Sequence, residues 1–229
     1  MKKLLYWLVD YAHMVKGAGI VYYHRNPPAH YLGHIVEGKV PVLLMSGVFG
    51  KWGFMKKIGD SISLAGHPVY VVTNMGHNLK DLPTSSGYVT EIIIEQELHN
   101  LIIVGYSKGG LIGAYTLAKS EMKDNIKAMI TIATPFSGSD MAKLLPGRIF
   151  RDLDPRNTLL QELYSNEEIK SKIISIMSFY DTHVWSDKKS YLDGARENIE
   201  VQVAGHSKVV FDDEVNKIVL EWIQKISNE

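Results

Sequence analysis

A chain of 229 residues, 45% hydrophobic and 22% charged, has the balance of a globular protein. It is long enough to bury about 70–75% of its unfolded surface in one domain. Its 25 basic and 25 acidic residues cancel, which removes the electrostatic case for a nucleic-acid partner. With no cysteine, a disulfide framework, a thiolate nucleophile and a cysteine metal site are all excluded.

The opening Met1-Lys2-Lys3 followed by Leu4-Leu5-Tyr6-Trp7-Leu8-Val9 imitates the start of a signal peptide. Asp10 stops the apolar run and no small-residue cleavage pattern follows, so a cytoplasmic protein is expected. Leu4, Leu5, Leu8, Tyr11, Ala12 and Val15 recur at helical spacing, which predicts an amphipathic helix ending near Gly17 and Gly19. Packing of this stripe on the domain is the plain expectation. Weak contact with a membrane surface through Trp7 and the two lysines is the alternative. Residues 20–39 show no period and read as an irregular lead-in. Their histidines, His24, His30 and His34, have no clustered carboxylate, so no metal site is expected there.

From residue 40 onward strands and helices alternate. The apolar run Lys39 to Met45 predicts a buried strand, followed by the glycine-punctuated loop Ser46-Gly47-Val48-Phe49-Gly50. Phe54 to Ala65 reads as an amphipathic helix and Val69 to Val72 as a strand. Asn74 to Gly87 carries loop residues, and Tyr88 to Leu98 is a further predicted helix. Strands follow at Ile126 to Ile132, Ile173 to Met177 and Ile199 to Val203. Asp212 to Ile226 is the last helix, with Asp212 and Asp213 suited to its N-terminus. This order predicts a lead-in over 1–39 and, over 40–229, an α/β domain with a mostly parallel, doubly wound sheet of about six strands.

The most informative stretch is Leu101-Ile102-Ile103-Val104-Gly105-Tyr106-Ser107-Lys108-Gly109-Gly110. A β-branched run enters Gly-x-Ser-x-Gly and a helical pattern leaves it, the context in which a serine hydroxyl is held out from the end of a sheet. That hydroxyl needs a base, and the base needs an orienting acid. Two later predicted strands end in suitable groups. One ends in Tyr180-Asp181, the other in Ala204-Gly205-His206. Ser107, Asp181 and His206 thus lie at carboxyl ends of parallel strands, in the order Ser, Asp, His. Asp187, deeper in the same loop, is the alternative acid. His183 is expected to be a loop residue near the site, and His67, His77 and His99 to be structural.

An acyl-transfer intermediate also needs main-chain donors for its oxyanion. The N–H of Lys108 and that of Val48, in the loop after the first strand, are the expected pair. The Lys108 side chain is expected to be simply solvated. Phe49, Tyr106, Phe136 and His183 are expected to border the substrate. The segment 137–170 reads as a lid-like insertion whose Leu144 and Leu145 offer an apolar wall for an acyl chain, or as helices that simply pack on the sheet. Ser137 and Ser139 are expected to cap helices. No cofactor is expected.

The segments PVLLMSGVFG, VGYSKGG, ATPFSGS, DLDPRNTLLQEL, FYDTHV and AGHSKVV together resemble the α/β-hydrolase superfamily in its bacterial lipase and esterase branch, including relatives of GPI-inositol deacylases. The resemblance spans about residues 40–226 and implies a six-stranded core, a small-molecule or lipid ester substrate and the Ser-His-Asp chemistry above. Two residues depart from that pattern: Ser46 and Phe136 stand where such lipases often carry histidine. An acyltransferase using the same three residues, and a catalytically silent binding protein on the same scaffold, are the alternative functions.

Overall fold

A computed structural model describes residues 2–140, 142, 148–184 and 190–229, with the backbone alone at 148 and 149. Its six strands are β1 (Val42–Met45), β2 (Val69–Val71), β3 (Leu101–Tyr106), β4 (Ile126–Ile132), β5 (Ile173–Tyr180) and β6 (Glu197–Ala204). They form one sheet in the order β2-β1-β3-β4-β5-β6, and every pairing is parallel. The helices are α1 (Lys2–Tyr23), α2 (His30–Gly33), α3 (Lys56–Leu64), α4 (Leu82–Glu95), α5 (Lys108–Lys119), α6 (Arg148–Arg151), α7 (Thr158–Leu163), α8 (Glu167–Ser171) and α9 (Asp213–Ser227). Parallel strands need crossovers, and these helices supply them on both faces of the sheet.

The central strands are buried on both faces, which explains their unbroken apolar runs. Ile102, Val104 and Ile130 point to the face covered by α3 and α9, with Ile58, Ile62, Val215 and Val219 opposite. Leu101, Ile103 and Met129 point to the other face, under α4 and α5. The alternation along β3 thus feeds two hydrophobic layers and fixes its register against β1 and β4.

Three boundaries differ from expectation for identifiable reasons. The segment 74–87 is not loop throughout, because α4 already begins at Leu82. Asp81 accepts the Thr84 N–H at 2.9 Å and Pro83 occupies the first turn, so the loop-like residues form a helix start. The N-terminal helix does not stop at Gly17 and Gly19 but runs on to Tyr23. Gly17 serves close approach instead: a Cβ there would lie 2.2 Å from the Phe54 ring. The lead-in is also less irregular than expected, since α1 enters it and α2 lies within it.

The orientation of α1 is a larger correction. The stripe expected to pack inward faces out, with Leu4, Leu8 and Val15 each more than 60% exposed. The inward face carries Tyr6, Asp10, His13, Gly17 and Ile20, which also repeat at helical spacing. No helix among the described residues is long and apolar enough to cross a membrane.

Candidate active site

Ser107 is placed by the turn from β3 into α5. It adopts φ 53° and ψ −123°, and its N–H donates to Ile132 O on the neighbouring strand at 2.9 Å. A non-glycine residue with positive φ stores strain, tolerated here because both sides of the turn are pinned. Gly109 makes the turn possible, since a Cβ there would fall 2.2 Å from Met45 O. Thr134 Oγ1 donates to Ser107 O at 3.1 Å and fastens the turn from the next strand.

Two loops meet this serine from the far side of the sheet. His206 follows β6 and presents Nε2 to Ser107 Oγ at 2.9 Å. Its Nδ1 lies 2.8 Å from Asp181 Oδ2, at the end of β5. The other oxygen, Asp181 Oδ1, accepts the N–H groups of His183 at 2.8 Å and Val184 at 2.9 Å, so the carboxylate cannot rotate freely. The three residues separated by 99 and 25 positions form one hydrogen-bonded line. Asp187, the alternative acid, lies outside the described residues, as do Leu144 and Leu145.

Burial opposes charge on Asp181, but the neighbouring His206 and the hydrogen bonds it accepts outweigh that, and its carboxyl is held below the usual range. Burial also opposes the imidazolium of His206. The Asp181 charge, its hydrogen bond and the charge of Asp10 prevail, so His206 sits above the ordinary imidazole value. His183 goes the opposite way: burial and the neighbouring His206 push it down to about 4, and it is neutral at pH 7.

Gly47 brings the loop after β1 against Ser107. A Cβ on Gly47 would lie 2.9 Å from Ser107 Cβ. The loop is braced from behind, where Asn78 Nδ2 donates to Ser46 O at 2.7 Å. Val48, Phe49, Tyr106 and His183 all border a cavity of about 600 Å3 that opens onto Ser107 and His206. Phe49 stands exposed at its rim. Tyr106 is buried, with its ring stacked on Phe54 at 5.4 Å. Phe136, expected to border the substrate, is instead a core residue packed edge-on against Tyr164 on the α4–α5 side. Ser139 Oγ donates to His183 O at 2.7 Å.

Two features escaped the sequence. The Lys108 side chain is not solvated but wholly buried, with Nζ donating to Asn78 O at 3.4 Å and to Lys80 O, and lying 4.0 Å from Asp152. The second is the wall that α1 contributes to the cavity through Tyr11, Met14, Ala18 and Val21. Rings of Trp7 and Tyr11 also approach His183, at 6.2 and 6.0 Å between centroids.

Asp181, His183 and His206 are the described residues whose spacing would suit a metal ion. Most of their ligand atoms are already committed. Both ring nitrogens of His206 and both oxygens of Asp181 have hydrogen-bond partners, and His183 Nδ1 faces Thr182 Oγ1 at 2.9 Å. The donor set fits a proton relay better than a cation.

A parallel six-stranded sheet flanked by helices, with a serine on the sharp turn after its third strand, defines an α/β-hydrolase. The profile of the FSH1 serine hydrolases matches residues 51–208, and the chain belongs to this serine hydrolase family. Among solved structures it is similar to the mature form of the Bacillus licheniformis lipase BlEst2, with TM-score 0.68 and 14% identity over 84% of this chain and 95% of that one. It is similar also to Aspergillus fumigatus lipase B, at TM-score 0.70 and 19% identity, covering 86% of this chain but 55% of the lipase. An extracellular α/β-hydrolase from a Paenibacillus species matches with TM-score 0.58 and 16% identity over 83% of this chain and 100% of its own. At these identities the likeness is one of fold. No curated protein matches the sequence.

Proposed function

We propose that the protein hydrolyses carboxylic esters with an apolar acyl group through an acyl-enzyme on Ser107. The observation that carries this reading is the line Ser107–His206–Asp181 opening onto the cavity of about 600 Å3. Ser107 Oγ attacks the ester carbonyl while His206 Nε2 takes its proton, and Asp181 steadies the imidazolium. The carbonyl oxygen becomes an oxyanion facing the N–H groups of Lys108 and Val48. Collapse breaks the bond to the alkoxy oxygen, which leaves as the alcohol with the proton from His206. Water, deprotonated by His206, then attacks the acyl-serine; collapse frees the carboxylic acid and returns the proton to Ser107.

The apolar lining from Met14, Ala18, Val21 and Val184 supports an aliphatic acyl chain, and the lipases of similar fold act in the same direction. The outward stripe of α1 supports weak contact with a lipid surface beside the cavity mouth. The exposed charged residues of this helix, Lys2, Lys3 and Lys16, are all basic.

The test uses purified protein, p-nitrophenyl esters of increasing chain length and a serine-directed phosphonate. Hydrolysis that disappears in folded Ser107→Ala, with phosphonate attached to Ser107 in the native chain, is the expected result. Undiminished hydrolysis in that variant would sink the reading. Acyl transfer from Ser107 to an added alcohol faster than to water would make the enzyme an acyltransferase.

A further inference from the structure

We infer that Asp10, on the helix α1 outside the matched family region, is a positioning residue for His206. The inference rests on the reading of His206 as the base. Asp10 is fully buried on a helix whose exposed charges are all basic, and no lysine or arginine pairs with it among the described residues. Its charge is held by main-chain donors instead. Oδ1 accepts the N–H of Ser207 at 2.7 Å and of Lys208 at 2.8 Å, the two residues directly after His206. Oδ2 accepts the hydroxyl of Thr182, the residue directly after Asp181.

One carboxylate therefore grips both loops that carry the relay. The Thr182 hydroxyl extends the grip, since Oγ1 also lies 3.3 Å from the N–H of His206 and 2.9 Å from His183 Nδ1. The histidine loop is shaped to admit the carboxylate. Gly205 has φ 128°, and a Cβ there would lie 2.4 Å from Asp10 Oδ1. Burying a carboxylate is costly unless its oxygens are hydrogen-bonded, and both are. A buried residue of this kind, reaching across 197 positions to the loop it holds, does more than cover apolar surface.

The charge of Asp10 also bears on the imidazole. The titratable groups facing His206 are Asp181 from the end of β5, His183 from the same loop, Tyr106 from β3 and Asp10 from α1. Tyr106 is buried and held far above its ordinary value, so it contributes no charge. With His183 neutral, Asp181 and Asp10 are the two anions that favour the imidazolium formed as Ser107 attacks.

Asp10→Asn tests this, because it keeps the shape and one acceptor but removes the charge. Proton NMR titration of the His206 ring, assigned by comparison with His206→Gln, should give a pKa lower than in the native chain by about half a unit or more. Ester kinetics should show kcat reduced about tenfold or more with KM changed less than about threefold. Thr182→Val should lower kcat in the same way while leaving the charge in place, and Thr182→Ser, which keeps the hydroxyl, should restore it. That pair decides the matter if Asp10→Asn does not fold. An unchanged His206 pKa in Asp10→Asn, or native kcat in Thr182→Val, overturns the inference. The titration reads the histidine directly, so its result stands apart from whether esters prove to be the substrate.

Discussion

The ammonium of Lys108 lies 4.0 Å from the carboxylate of Asp152 with its own side chain entirely shielded from solvent. Burial works against both charges: it lowers the Lys108 pKa and raises that of Asp152, and each partner only partly offsets the other's cost. Asp152 also accepts the N–H of Leu82 at 2.9 Å, and Lys108 reaches the carbonyls of Asn78 and Lys80. The residue next to Ser107 thus ties the segment 78–82 to the residues after α6. Asn78 in turn holds Ser46 O, so both proposed oxyanion donors share one support.

Breaking this pair from one side should be costly. Lys108→Met keeps the bulk but leaves the Asp152 carboxylate uncompensated, and a loss of about 3–5 kcal/mol is expected in chemical denaturation. Lys108→Met combined with Asp152→Leu should recover much of that loss, because no buried charge is then left alone. Equal destabilisation in the single and double variants would show that the pair is not the reason for the single variant's effect.

The pH dependence of the reaction follows from the raised pKa of His206. Only neutral His206 can take the serine proton, so kcat/KM should rise with pH and level off through an inflection above the ordinary imidazole value of 6.5. Asp181→Asn removes the charge chiefly responsible for holding that value up. The inflection should move to lower pH, and the plateau should fall by about three to four orders of magnitude. A pH–rate profile of the two proteins on one ester measures both effects.

Gly17 offers a purely steric test of the contact between α1 and the helical turn 52–55 that precedes α3. The Phe54 ring it faces is stacked on Tyr106 at 5.4 Å and meets Phe211 at 5.3 Å, so it has little room to yield. Gly17→Ala should therefore lower stability by about 1–3 kcal/mol despite the better helix propensity of alanine. Gly19→Ala, where a Cβ meets nothing within 4 Å, should stabilise slightly. Thermal or urea unfolding of the two variants supplies the comparison.

The outward stripe of α1 predicts binding to lipid vesicles. Partitioning should be stronger on vesicles containing anionic lipid than on neutral ones, given Lys2, Lys3 and Lys16. Replacing Leu4, Leu8 and Val15 with glutamine should abolish binding without loss of fold, since all three are more than 60% exposed. Co-sedimentation with vesicles is sufficient. Identical partitioning of native and substituted chains would exclude the helix as the contact.

The parts of the site that could be read from sequence were those tied to strand ends. Ser107 and Asp181 follow largely apolar runs and His206 follows a strand that alternates apolar and polar residues, so the register of a parallel sheet brings them to one edge. Lys108 and Asp10 were not legible for the opposite reason. Their roles depend on partners 28 to 198 positions away that no local period announces. The helix α1 misled in a specific way, because its apolar stripe suggested an inner face while the residues that pack inward include an aspartate and a glycine. A lone acidic residue repeating in step with aromatic and glycine positions was the available signal. Asp81 and Pro83 likewise marked the start of α4 inside what read as loop.

The bond between Asp10 and Lys208 sets an order of events during synthesis. At about 5–20 residues per second, Asp10 precedes its partner by roughly 10–40 s, as the two are 198 positions apart. Throughout that interval Asp10 is without its main-chain donors. A nascent chain arrested before the last strand would therefore lack both His206 and the donors of Asp10, leaving the proposed relay incomplete until synthesis nears its end.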